Sequence, residues 1–163
     1  MRYGQIREFD IANGPGVRTS VFVVGCSLKC PGCFNEEYQS FQAGKEWTKK
    51  EEKYVLNSLL LSYVSGLSVL GGEPLEQDGT LLRFLQKVKE DVKKNIWLWT
   101  GFYYENLNEK QKEVLEYVDV LVDGPFIEQN KDLNLKFKGS SNQRIIDLNE
   151  TRKTGKITLL VDC

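Results

Sequence analysis

The chain has 163 residues, 40% hydrophobic and 28% charged, which is the make-up of one folded domain with a core and not of a disordered protein. Its 22 Lys and Arg balance 23 Asp and Glu, so no global field draws it to nucleic acid or an anionic membrane. No apolar run nears the ~20 residues that span a bilayer, and Met1 to Asp10 lacks the apolar core of a signal peptide, so the expectation is a cytoplasmic single domain, 1–163.

Asn13-Gly14-Pro15-Gly16 is a turn cluster. The β-branched and aromatic run Thr19 to Gly25 then predicts a strand buried on both faces. Cys26, Cys30 and Cys33 follow it directly, spaced C-x3-C-x2-C, with Pro31 and Gly32 tightening the loop. Thr48-Lys49-Lys50-Glu51 is a capping box that opens a helix with Tyr54, Val55, Leu59 and Ser62 on one face, ending near Val64. Leu67 to Leu70 reads as a second strand running into Gly71-Gly72-Glu73-Pro74. Asp78 caps a second helix whose stripe is Leu81, Leu82, Leu85, Val88 and Val92. A third strand spans Ile96 to Thr100 and closes at Gly101; a helix from Asn108 to Tyr117 follows, with Val114, Leu115 and Val118 facing inward. Val118 to Val122 is a fourth strand, stopped by Asp123-Gly124-Pro125.

From Glu128 onward the chain carries Lys131, Lys136, Lys138, Arg144, Arg152, Lys153 and Lys156 without a strong helical pattern. That basic stretch reads as a solvated face or a docking surface. Gly139-Ser140-Ser141-Asn142 is a turn, and Lys156 to Val161 has the composition of one more strand. Alternating strands and helices predict an α/β fold of parallel β-α units. A complete eight-fold barrel takes about 250 residues, so the expected form is a partial (β/α) barrel of parallel strands, open on one side to a large partner.

The cysteine group is the strongest chemical signal. Clustered thiolates select zinc, copper(I) or an iron–sulfur cluster. Three ligands are one short of a cubane [4Fe–4S] cluster or a closed zinc site, and with no histidine in the chain Cys163 is the only further thiol. The central expectation is a cluster with one iron left open to a small molecule. A zinc-binding module without catalysis is the reading from another class; disulfides are disfavoured in a reducing compartment. The glycines before Glu73 admit close backbone approach, and Glu73 suits a ligand ammonium group; the plain alternative is a strand-ending turn with a solvent-facing carboxylate. Thr100 and Gly101 end the next strand on the same edge. Trp97 and Trp99 read as core or helix-packing residues, and Asp10 with Arg18 as a surface pair.

Cys26-x3-Cys30-x2-Cys33 with Gly71-Gly72-Glu73-Pro74 downstream resembles the radical S-adenosylmethionine superfamily. More narrowly, Asn13 to Gly16, Cys30-Pro31-Gly32-Cys33-Phe34-Asn35, Trp97-Leu98-Trp99-Thr100-Gly101 and Gly139 to Gln143 resemble the anaerobic ribonucleotide reductase activating family. The resemblance implies that Cys26, Cys30 and Cys33 hold a [4Fe–4S] cluster. It implies S-adenosylmethionine on the fourth iron, with Gly32, Cys33 and Phe34 against the cofactor. Gly71, Gly72 and Glu73, with Thr100 and Gly101 beside them, would receive its methionyl end. The implied reaction is reductive cleavage to methionine and a 5′-deoxyadenosyl radical, which takes hydrogen from a glycine of the reductase. The implied partners are the glycyl-radical subunit of an anaerobic ribonucleoside-triphosphate reductase and a one-electron donor such as a flavodoxin. An activase of another glycyl-radical enzyme, of the pyruvate formate-lyase type, is the nearer alternative.

Overall fold

The computed structural model describes residues 1–161, so Cys163 lies outside the described residues. Seven strands form one sheet: β1 (Arg2–Asp10), β2 (Val17–Val23), β3 (Lys45–Glu46), β4 (Val64–Gly71), β5 (Asn95–Trp99), β6 (Val120–Asp123) and β7 (Arg144–Asp147). Their order is β3-β1-β2-β4-β5-β6-β7. The centre, β2-β4-β5-β6, is parallel, as the alternating pattern predicts. The expectation of parallel strands throughout is corrected at both edges. There β1 runs antiparallel to β2 and β3, and β7 runs antiparallel to β6.

Four α-helices fill the connections: α1 (Lys49–Leu59), α2 (Gly79–Lys87), α3 (Glu109–Leu115) and α4 (Leu148–Thr154). Thr48, Asp78, Asn108 and Asp147 cap them by accepting a backbone N–H from the first turn. The first helix is shorter than its apolar spacing suggests. It stops at Leu59, Val64 already belongs to β4, and Tyr54 stands half exposed, donating to Glu8 Oε2 at 2.8 Å. The stripe of α2 continues through a π-helical turn, Val88–Val92, ended by left-handed Lys93. Helix α4 carries no apolar stripe, burying only Leu148 and Thr151. The Lys156 to Val161 segment forms no strand. It lies along β7 through one isolated bridge, Ile146 to Leu159.

The strand period of two divides the core. Val21, Val23, Leu67, Val69, Ile96, Leu98, Leu121 and Ile146 pack against Leu59, Leu81, Phe84, Leu85, Leu115 and Leu148 of the helices. The alternate positions face the other side. There Trp97, Val120, Val122 and Ile145 form a second apolar cluster next to polar Arg18, Ser20 and Ser68. Trp97 is therefore core, as its composition suggests, but on the face without helices.

Asp10 and Arg18 are not a surface pair. Both are buried on that second face, at 3% and 1% exposure, and they do not bond each other. Asp10 accepts from Ala12 N, Asn13 Nδ2 and Ser20 Oγ, at 2.8, 2.7 and 2.6 Å. Arg18 donates to Ser68 Oγ, Leu67 O and Asn95 Oδ1, at 2.8, 2.9 and 3.1 Å. Burial without an ion-pair partner lowers the Arg18 pKa to about 10.

The edge strand β7 is locked by one cation. Arg144 Nε and Nη2 donate to the carboxylate of fully buried Asp123, at 2.9 and 2.5 Å, and the same guanidinium takes Glu105 bidentately at 2.9 and 2.8 Å. Removing the cation strands a buried charge, the costly way to break such a pair. Arg144→Ala is expected to lower unfolding stability by about 3 kcal/mol, at the low end of that range because Arg144 is partly solvated. Glu105→Ala, which removes the exposed partner, costs under about 1 kcal/mol. Urea titration of both variants checks the ordering.

Candidate metal centre

The cysteine loop leaves the end of β2 and is fastened from two sides before its first thiol. Gly25 N donates to Tyr38 O at 2.8 Å and Cys26 N to Gln39 O at 2.9 Å. From the other side Gly72 N donates to Val23 O and Glu73 N to Gly25 O, both at 2.8 Å. This contact explains the paired glycines after β4. A Cβ on Gly72 would sit 2.7 Å from Gly25 O and 2.9 Å from Tyr38 O, all backbone atoms that cannot yield. The close approach that the sequence suggested for a ligand is made here by the chain itself.

Cys26, Cys30 and Cys33 are free and half-buried. Burial pushes the Cys26 and Cys30 thiols up; backbone N–H groups aimed at their sulfurs oppose it, from Leu28 and Lys29 toward Cys26 and from Phe126 toward Cys30. Asn35 N donates to Cys33 Sγ at 3.4 Å, and Asn35 Nδ2 reaches Gly71 O at 3.3 Å. Among the described residues no three His, Cys, Asp or Glu side chains converge on a single ion position. Cysteines that bind separate irons of one cluster do not have to converge.

Glu73 is buried, not the solvent-facing end of a turn. Its Oε1 accepts from Leu75 N at 3.0 Å and Thr100 Oγ1 at 2.8 Å, and its Oε2 accepts from Gly101 N at 2.8 Å. No cation pairs with it among the described residues, and desolvation raises its pKa to about 7 against those three donors. Gly101 also lets the cysteine loop close on β5, since a Cβ there would meet Leu28 Cδ1 at 2.3 Å.

Nine of the ten residues singled out in the sequence line one cavity of about 550 Å³: Cys26, Cys30, Cys33, Phe34, Gly71, Gly72, Glu73, Thr100 and Gly101. Gly32 does not line it. This glycine is exposed, left-handed at φ 72°, and next to the Glu128 carboxylate. Phe34 packs on Phe126 at 4.9 Å between ring centres, with Lys131 Nζ over the Phe34 ring, 5.0 Å from its centre. Trp99 also lines the cavity and donates Nε1 to Phe137 O at 2.7 Å. Arg7, Asn13 and Phe22 line it from the β1–β2 side, and Leu133, Phe137 and Gln143 from the segment after β6.

The family model described as a 4Fe-4S single cluster domain matches residues 12–146, from the Asn13 turn into β7. A protein of Escherichia coli K12 is 38% identical over 148 residues, covering 88% of this chain and 96% of its own length. One from Haemophilus influenzae is 40% identical over 150 residues, covering 89% and 97%. One from enterobacteria phage T4 is 38% identical over 150 residues, covering 89% and 93%. All three are named anaerobic ribonucleoside-triphosphate reductase-activating protein. The chain belongs to this family.

Within the activating-protein fold three contributors to the site escaped the sequence reading. Asn35, Glu76 and Phe126 touch the cysteine loop from positions whose sequence spacing carries no metal signature. Asn35 alone had a local cue, lying two residues after Cys33.

The buried carboxylate makes a measurable signature in the protein without bound cofactor. A raised folded-state pKa means that Glu73 favours folding in its neutral form, so its contribution is complete below about pH 4.5 and is lost as pH rises through about 7. The chain has no histidine, the side chain that ordinarily titrates near neutrality. Stability is expected to fall by up to ~1.4 kcal/mol per pH unit between pH 5 and 7. Glu73→Gln should flatten that slope in urea titrations run at a series of pH values.

Proposed function

We propose that this protein is the activase of an anaerobic ribonucleoside-triphosphate reductase: it binds a [4Fe–4S] cluster and S-adenosylmethionine and generates the glycyl radical of the reductase. The observation that carries the reading is one cavity holding three free thiols and a buried carboxylate that meets no cation among the described residues. The donor set suits the group: soft sulfurs met by backbone N–H donors suit a cluster, and an uncompensated carboxylate suits an ammonium. The names of the family's members point to the same partner.

In this reading Cys26, Cys30 and Cys33 hold the cluster and leave one iron without a protein ligand. Gly71, Gly72, Glu73, Thr100 and Gly101 take the methionyl end of S-adenosylmethionine, with Glu73 pairing its ammonium. Gly32, Cys33 and Phe34 sit beside it. When bound and reduced, the group supplies reductive cleavage of the sulfonium, and with it a radical that takes one hydrogen from a glycine of the reductase. The chain's own work is to bind, orient and keep out water; no side-chain acid or base is required. A one-electron donor such as a flavodoxin would reduce the cluster in the cytoplasm.

The finer architecture belongs to the same proposal. The 163 residues would act as one radical S-adenosylmethionine domain whose sheet curls into a partial barrel. In support, residues from β1 and from the segment after β6 line the same cavity, although they stand on opposite sides of the parallel centre. All four α-helices pack on the other face. The open side, between β1 and the segment after β6, is where the reductase would insert its glycine.

Anaerobic reconstitution with iron and sulfide is expected to give a brown protein that cleaves S-adenosylmethionine under strong reductant. With the reductase added, electron paramagnetic resonance should show a glycyl doublet that depends on this protein. A colourless protein that binds only zinc refutes the reading. Cys30→Ala should lose cofactor cleavage while keeping its circular dichroism, and Cys163→Ser should keep both iron and cleavage, since three ligands suffice.

A further inference from the structure

Two residues beyond the Gly71-Gly72-Glu73-Pro74 turn, one side chain returns to the cysteine loop. Pro74–Glu76 forms a single 3-10 turn on that corner. Its last residue, Glu76, turns both carboxylate oxygens onto Ser27, the residue after Cys26. Oε2 accepts from Ser27 N at 2.8 Å, and Oε1 accepts from the Ser27 hydroxyl. Gln77 completes the attachment by donating Nε2 to Val24 O at 3.0 Å.

The corner thus grips the stretch 23–27 by bonds of two kinds. Most are backbone or neutral amide contacts, and Glu76 alone brings a formal charge. A neutral amide could keep both contacts, its oxygen accepting from Ser27 N and its NH2 donating to Ser27 Oγ. The carboxylate therefore adds something the geometry does not need: a negative charge held within one residue of the Cys26 sulfur. Its field already disfavours charge on that sulfur, in the same sense as Glu73. Glu73 is buried and committed to Thr100, Gly101 and Leu75, whereas Glu76 is half-buried and free of the cavity wall.

We propose that Glu76 is a positioning residue that fixes Cys26 through Ser27 and, by its fixed charge, lowers the reduction potential of the cluster. The inference rests on the cluster assignment made above. Reduction adds an electron to a group already wrapped in thiolates, and a nearby carboxylate disfavours the more negative state. A lower potential makes the reduced cluster a stronger one-electron donor toward a sulfonium. The bond to Ser27 keeps the charge at constant distance, so its field does not average out with side-chain motion.

The test measures a potential, not turnover. Wild type, Glu76→Gln and Glu76→Asp are reconstituted anaerobically and titrated with dithionite-poised mediators, following the reduced cluster by electron paramagnetic resonance. Glu76→Gln keeps one acceptor oxygen, replaces the other with an NH2 donor that can meet Ser27 Oγ, and loses the charge; Glu76→Asp keeps the charge and shortens the reach. The expected result is a potential raised in Glu76→Gln, near wild type in Glu76→Asp, with equal iron content in all three. An unchanged potential in Glu76→Gln overturns the inference. So does an equal or larger rise in Glu76→Asp, or a Glu76→Gln protein that holds no iron; either outcome leaves Glu76 as a structural clamp. A wild-type protein that assembles no cluster refutes the underlying function instead, and the two failures are told apart in the first sample.

Discussion

A carboxylate buried without a cation among the described residues sets the geometry on which the site depends. Glu73 receives hydrogen bonds from its own turn and from Thr100 and Gly101 at the end of β5, so the ends of two parallel strands are drawn to one point. The turn that carries Glu73 also presses its glycine backbone against residues 23–25, which deliver the chain to Cys26. Three bonds do not offset full desolvation, and the group titrates near neutrality. A pocket in that condition is best satisfied when an outside cation enters it. Under the proposed function that cation is the cofactor's ammonium, so filling the pocket and stabilising the strand ends are one event.

The opposite end of the cavity is closed by a different device. Asn13 lines the cavity and also donates to Asp10, while Gly14, at φ 107°, brings the turn to within 2.9 Å of the Arg18 side chain, measured from the position of a missing Cβ. The Asn13 to Gly16 turn is thus a floor laid over a buried guanidinium. Arg18 spends its donors on Ser68, Leu67 and Asn95, tying β2, β4 and the start of β5 together. A polar floor of this kind is rigid because every member is satisfied; removing one would strand the others.

What the sequence made legible follows from burial. The central strands are covered on both faces, so they read as continuous apolar runs, and their order with the helices implied the parallel centre. The edge strand β1 alternates half-buried polar and apolar residues, Arg2-Tyr3-Gly4-Gln5-Ile6-Arg7, and gives no such run. Strand β7 has four residues and α4 seven, each made stable by contacts with β6 and not by its own pattern. At the site, the thiols and the Gly71-Gly72-Glu73 corner were readable because their chemistry is carried by residue type and close spacing. Glu76 and Phe126 were not, because they meet the cysteine loop across 49 positions in one case and from beyond β6 in the other. Burial also reversed the reading of Asp10 and Arg18, since charge patterning alone assigns such residues to solvent.

The three cysteines are not held alike. Cys26 is fastened by backbone bonds to the carbonyls of residues 38–39, at the end of a 3-10 turn, and by the 72–77 corner that follows β4. Cys30 and Cys33 lie under the segment after β6: the Phe126 amide faces the Cys30 sulfur, Phe126 packs on Phe34, Glu128 abuts Gly32, and Lys131 stands over the Phe34 ring. Between β6 and β7 that segment contains only a single 3-10 turn and one isolated bridge, Lys131 to Ser140. It also forms one wall of the cavity, on the side where the proposed partner enters. That wall touches Phe34 and Cys30 directly, whereas the contacts that hold Cys26 come from residues 38–39 and 72–77. Under the proposed function, the segment that would meet the reductase therefore also borders two of the three sulfurs, and the third is bordered by a different part of the chain.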